Sequence, residues 1–256
     1  MQIYNYILYT TFGLLPSLAW LFYYLQKDLH PEPKKTISKV FLWGAFATVP
    51  VILLELGFSE ALASLQYVAT LYNPDISGYV GIIFPFVKWF LVIAFIEEFF
   101  KYLVVRFAVL KTGVIDEPLD IMLYMVVASL GFAGLENILY LFSPINSFLS
   151  FDQIIKVTIT ISFFRFIGAT LLHTLCSALV GYFLALGFTK DKNGPRFLWV
   201  GLLFATLLHG LFNISIMTLQ SPFNFLVPIG IILVLVMFMI YDFNSIKKMK
   251  GICKLK

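Results

Sequence analysis

Seven long apolar runs, at about 4–25, 38–58, 84–110, 118–143, 154–188, 196–219 and 222–243, take up most of this chain of 256 residues. Crossing the hydrocarbon core of a bilayer requires roughly 20 mostly apolar residues in helical form. Within lipid every backbone polar group must be satisfied internally, which leaves helices or a closed barrel, and uninterrupted runs of this length are helical. The expected fold is therefore all-α, a polytopic membrane bundle of about seven transmembrane helices. Composition agrees. Charged residues make up 12% and hydrophobic residues 60% of the chain, whereas a soluble domain carries about 25% charged residues.

The basic residues fix an expected orientation. Lys27, Lys34, Lys35 and Lys39 lie in the first connector, and Arg106 and Lys111 flank the third. Lys190, Lys192 and Arg196 lie in the fifth, and Lys247, Lys248, Lys250, Lys254 and Lys256 in the tail. The alternate connectors hold Glu60 and Asp75, then Asp152, then almost no charge. Cytoplasmic loops carry the Lys and Arg excess, so the N-terminus is expected outside and the C-terminus inside. The fifth run is long enough to divide at Gly168, but an eighth crossing would put the last basic loop and the tail out of step.

Other features narrow the class. The basic residues sit in short loops rather than on one face, so the net charge of +4 is no nucleic-acid signal. Cys176 in an apolar run and Cys253 in the tail provide no disulfide framework. No basic residue precedes the first apolar run, so it is expected to persist as a span and not to be a cleaved signal. The segment Ser59–Tyr72 has helical propensity but is short and polar, and is expected to lie at the outer surface. His30 to Lys34 reads as a Pro-rich inner turn. With no internal repeat, residues 1–256 read as a single membrane domain with its polar core at about 84–220.

An ionisable side chain in mid-bilayer costs roughly 2.5–3.5 kcal/mol on insertion scales. Several occur here at similar depth. The third run carries Glu97, Glu98 and Lys101, the fourth Glu136 and Asn137, the fifth Arg165 and His173, the sixth His209 and Asn213. Glu97 and Lys101 are four apart and share a helical face, as do His209 and Asn213. Glu98 lies about 100° round the helix from Glu97. One glutamate is thus expected to pair with Lys101 or Arg165 and the other to stand ready for acid–base work.

Each residue alone has a structural reading. Glu97 with Lys101 can be an ion pair that holds helices together, a solitary His a packing residue, Asn213 an interhelical link, and Arg165 a snorkelling side chain. Glu55, near the outer end of the second run, reads as interfacial. Taken jointly the structural reading is the weaker one, because bundles rarely need so many costly groups at one level.

Three chemistries use such a set. A Glu can act as general base on a water attacking a peptide carbonyl, with His173, His209 or Asn213 stabilising the oxyanion. Alternatively His173, His209 and Glu136 or Glu97 hold zinc, leaving a position open for water. Or the groups form a proton relay in a transporter or lipid-handling protein. Transporters usually show inverted repeats and broken spans in matching halves, and this chain shows neither. A catalytically silent scaffold would tolerate Glu97→Gln and Glu98→Gln. Cys176 lies one turn from His173, but nothing marks it as a thiolate nucleophile.

Five elements then stand in order: PEPKKTISKVFLWG, EEFFK, DEPLDIMLYMVVASLGFAGLENILY, Arg165 with His173, and HGLFN from His209 to Asn213. Together, from about residue 30 to 215, they resemble the PrsW family of bacterial intramembrane proteases, distant relatives of the CAAX prenyl proteases and bacteriocin-processing enzymes. The resemblance implies a membrane-embedded, glutamate-dependent endopeptidase of the bacterial cell membrane. Its expected partner is a single-pass membrane protein, such as an anti-sigma factor cut at the outer side in stress signalling, and no nucleic acid. Glu97, Glu98, Glu136, His173 and His209 are implied as catalytic, with Lys101, Asn137, Arg165 and Asn213 supporting. No metal is favoured, although the zinc scheme stays open. The outer segment between the second and third spans is a candidate docking surface for substrate.

Overall fold

The computed structural model describes residues 3–27, 30–142, 149–189 and 194–246. Lys190, Lys192, Cys253 and the five tail lysines invoked for orientation lie outside them. The described residues form helices and no strand: α1 (Ile3–Leu25), α2 (Lys34–Tyr72), α3 (Ser77–Phe86), α4 (Ile96–Val105), α5 (Pro118–Leu141), α6 (Phe151–Ile167), α7 (Ala169–Thr189), α8 (Gly194–Thr218) and α9 (Phe223–Ile246). Seven continuous helical stretches are long and apolar enough to cross a membrane. The chain is a multi-pass membrane protein.

Three details differ from the expectation. Ser59–Tyr72 is helical as expected, but it is continuous with the span before it, because α2 runs unbroken for 39 residues. That is roughly 58 Å at 1.5 Å per residue, nearly twice the hydrocarbon thickness. Gly57 has open space around it, and no proline interrupts the helix between Pro50 and Pro74. The helix stops only at Asn73, whose side chain accepts the Asp75 N–H at 3.2 Å.

The third span also starts earlier. Helical structure runs from Pro74 to Leu110, passing through π-wound stretches at Val87–Phe95 and Arg106–Leu110 on either side of α4. The fifth run does break at Gly168, with φ −103° and ψ −94° between α6 and α7. The hydrogen-bond ladder resumes at once, since Gly168 N–H donates to Phe164 O and Leu172 N–H to Gly168 O, both at 2.8 Å. The stretch Phe151–Phe188 counts as one span with a bend, and seven crossings stand.

Helix α5 is the centre. Its start is fixed by Pro118 at the first helical position and by Asp120 Oδ2, which accepts the Glu117 N–H at 2.7 Å. Every residue from Pro118 to Gly134 is buried. Neighbouring helices approach closely through small residues, as membrane helix packing requires. A Cβ at Gly44 on α2 would strike the carbonyl oxygen of Ala128, and one at Gly131 on α5 that of Phe41. On the other side, a Cβ at Gly181 of α7 would come within 2.7 Å of the Met122 Cα. Thr48 Oγ1 donates across the same α2–α5 seam to Phe132 O at 3.2 Å. With α2 and α7 held on either side, α5 is the fixed reference for the polar groups.

Candidate active site

The segment IEEFFK supplies the nucleus. On α4, Lys101 lies three residues after Glu98 and four after Glu97, so one ammonium reaches both carboxylates. Lys101 Nζ is 2.8 Å from Glu98 Oε1 and 3.2 Å from Glu97 Oε2, and it sits 4.6 Å from the centre of the Phe132 ring. Lys101 and Glu98 are fully buried and Glu97 is 5% exposed.

Helices α7 and α8 each bring one imidazole to this nucleus. His173 Nδ1 lies 2.7 Å from Lys101 Nζ and 3.4 Å from Glu97 Oε2. An ammonium offers only protons, so Nδ1 accepts, and the neutral ring carries its proton on Nε2. There Glu136 Oε2 accepts it at 2.9 Å. His209 Nδ1 stands 3.0 Å from Glu98 Oε1. The two rings are edge to face, with centroids 5.0 Å apart and planes at 86°.

The bend at Gly168 completes the arrangement. It lets α6 and α7 both address the Glu136–Asn137 pair on α5. Arg165 Nη2 of α6 pairs with Glu136 Oε2 at 2.9 Å, and Arg165 Nε donates to Asn137 Oδ1. Asn137 Nδ2 donates in turn to Thr170 Oγ1 of α7 at 3.0 Å. Arg165 does not snorkel away: its side chain is 12% exposed and lies 4.8 Å from the Tyr140 ring. Glu136, 28% exposed, is the most open of the clustered carboxylates.

Glu97, Glu98, Lys101, Glu136, Asn137, Arg165, His173 and His209 thus form one connected network drawn from α4, α5, α6, α7 and α8. Asn213 stands apart. It is half-buried, one turn beyond His209, and makes no side-chain hydrogen bond among the described residues. Cys176 is fully buried.

The two glutamates are not equivalent. Glu98 is saturated: Oε1 meets Lys101 and His209, and Oε2 accepts from Ser177 Oγ at 3.0 Å. Glu97 engages only through Oε2, and its Oε1 carries no hydrogen bond among the described residues. The sequence reading missed Ser177 and Thr170, two small hydroxyls unremarkable in a helix. It also left Glu55 out of the polar set. Half-buried on α2, Glu55 keeps its Oε1 buried and without a hydrogen-bond partner among the described residues.

A metal can be tested against these donors. Glu97, His173 and His209 each offer a ligand atom, all within 4.8 Å of one another. Two imidazoles and a carboxylate are the donor set of a catalytic zinc, and Glu136 on the far nitrogen of His173 is the usual outer carboxylate of such a ligand. The set fits in donor type and reach, on the condition that the Lys101 ammonium leaves His173 Nδ1, the ring nitrogen facing Glu97.

The chain matches known proteins over most of its length. The family model described as PrsW family intramembrane metalloprotease matches residues 32–241. The chain is 29% identical over 221 residues to Protease PrsW of Oceanobacillus iheyensis, covering 86% of this chain and 88% of that protein. It is 29% identical over 213 residues to Protease PrsW of Clostridioides difficile, with 80% and 77% covered. With Protease PrsW of Bacillus subtilis it shares 27% over 223 residues, with 86% and 88% covered. No solved structure matches. The chain belongs to the PrsW family of intramembrane proteases and is a membrane-embedded endopeptidase.

Proposed function

We propose that this protease is glutamate-dependent and cuts a single-pass, membrane-anchored protein, such as an anti-sigma factor, at the outer side of the bacterial cell membrane. The observation that carries the proposal is the asymmetry of the glutamates. Glu98, with both oxygens bonded, organises Lys101, His209 and Ser177. Glu97, whose Oε1 accepts no hydrogen bond among the described residues and whose Oε2 has His173 beside it, is the carboxylate placed to take a proton.

In this scheme a water on Glu97 Oε1 gives up a proton to that carboxylate as its oxygen attacks the scissile carbonyl. The carbonyl π electrons move onto oxygen, and the tetrahedral intermediate then collapses with cleavage of the C–N bond. The proton held by Glu97 passes to the departing amine. General-base positioning of this kind contributes roughly 10²–10⁴-fold. Asn213 Nδ2, without a side-chain hydrogen bond among the described residues, supplies a donor for the oxyanion, and His209, which donates from Nδ1 to Glu98, fixes that carboxylate. Removal of one such donor typically costs about 10²–10³-fold. Lys101 holds His173 in one tautomer, and Glu136 with Arg165 holds its far nitrogen.

A zinc ion held by Glu97, His173 and His209 would supply Lewis-acid polarisation of the carbonyl and a more acidic water. Lys101 would then leave His173 Nδ1 and keep its pairing with Glu98, and Glu136 with Arg165 would still hold the far nitrogen of His173.

The test is cleavage of a panel of reconstituted single-pass proteins by wild type, His173→Ala and His209→Ala. The expected result is cut products from wild type, with both variants strongly impaired. Equal cleavage by all three proteins would end the proposal.

A further inference from the structure

The site is closed to lipid, yet its substrate resides there. Glu97 is 5% exposed, and His173 and His209 are each 2% exposed. Two sides of the cluster differ in character. At one, Glu136 and Arg165 form a charged, partly open rim, which suits water. At the other, a cavity of about 410 Å³ is lined by Ile82, Ile83, Phe86, Phe90, Leu91 and Leu207, with Val87, and by no polar side chain.

This groove lies between α8 and the helix leading into Glu97. Its inner wall is Phe90, 8% exposed, stacked on Phe86 at 4.5 Å and 6°. Behind Phe90 is Gly210, the neighbour of His209: a Cβ there would come within 2.6 Å of the ring. Only a glycine lets the ring seat so closely. The wall is also π-wound from Val87 to Phe95, ending just before Ile96 and the glutamates, and π-winding inside helices recurs at functional positions.

Resting on the proposed function, we infer that the apolar transmembrane segment of the substrate docks in this groove, and that displacement of Phe90 from Gly210 admits it to His209 and Glu97. The occupant is a helix and not merely a lipid chain because Phe90, the inner wall of the groove, packs on Gly210, the residue next to His209. An apolar helix laid in an apolar groove is also a recurrent recognition mode. Hydrolysis then has separate entries, an apolar one for the substrate segment and a polar one for water.

A covalent lock tests this. In a hypothetical Cβ-bearing residue 210, Cβ would lie 2.8 Å from Phe90 Cγ. The residue-90 Cβ is one bond further, within disulfide reach. The double variant Phe90→Cys/Gly210→Cys also removes the ring that would clash. In nanodiscs, its oxidation is expected to slow cleavage of a single-pass substrate by about tenfold or more, as blocked gating does, with recovery on reduction. Wild type treated with the same oxidant is the control. Undiminished cleavage by the fully oxidised pair overturns the inference. A second arm needs no activity: a photo-crosslinker at Ile83, compared with one at Phe238 on α9, is presented with a synthetic leucine–alanine single-pass peptide. Capture of the peptide at 83 above 238 supports the groove, and capture of lipid alone at 83 overturns it. Failure of wild type to cleave any substrate counts against the proposed function, while the capture arm still decides the groove.

Discussion

His173 Nδ1 lies 2.7 Å from Lys101 Nζ, and this contact makes the lysine the keystone of the site. The ammonium sets the imidazole tautomer on α7 while pairing with two carboxylates on α4. Its removal therefore leaves buried charge uncompensated and an imidazole unoriented.

Lys101→Met is accordingly expected to destabilise the fold by about 3–5 kcal/mol, as breaking a buried pair does, and to abolish cleavage. Adding Glu97→Gln should recover part of the stability, because one unpaired carboxylate is then gone. Thermal unfolding in detergent measures both. A fully additive double variant would contradict the shared pairing.

The glutamates should separate by stability. Glu98→Gln leaves Lys101, His209 and Ser177 with a poorer partner and is expected to cost about 3 kcal/mol. Glu97→Gln, which weakens the 3.2 Å pair with Lys101 and the 3.4 Å contact with His173, should cost less, about 1.5 kcal/mol. Melting curves of the purified variants decide, and the reverse order would exchange the proposed roles of Glu97 and Glu98.

Gly44→Ala or Gly131→Ala forces α2 and α5 apart, since the new Cβ meets a carbonyl oxygen. The expected cost is about 1–3 kcal/mol or more. Gly57→Ala, with nothing within 4 Å of its Cβ, should be neutral or stabilising by up to about 1 kcal/mol. Equal effects at the three positions would contradict the close seam.

How much of this was legible in the sequence depends on the kind of signal. Ionisable residues are rare in apolar spans because they are costly, so Glu97, Glu98, Lys101, Glu136, Arg165, His173 and His209 stand out unaided. Spacing on one helix gave the Glu97–Lys101 pair, but the second contact, to Glu98, depends on a rotamer. The inward turn of Glu55 Oε1 was not legible, because a position along a helix does not say which way the side chain turns. The helical propensity of Ser59–Tyr72 was legible, but its continuity with the span before it was not, because nothing there breaks the helix. The π-wound stretches leave no residue signature, and Ser177 carries no cost that would mark it.

Metal dependence is open to a direct check. With Lys101 on His173 Nδ1, the glutamate scheme predicts that a strong chelator leaves the cleavage rate unchanged. Chelator inhibition reversed by added zinc would move Glu97, His173 and His209 into the role of ligands.

The central claim is that Glu97 takes the proton from the attacking water. The most direct measurement is the cleavage rate of one single-pass substrate by purified wild type and Glu97→Gln, with folding of both verified by melting temperature. The predicted result is a loss of about 10²-fold or more in a folded variant. Equal rates from two folded proteins would contradict the account.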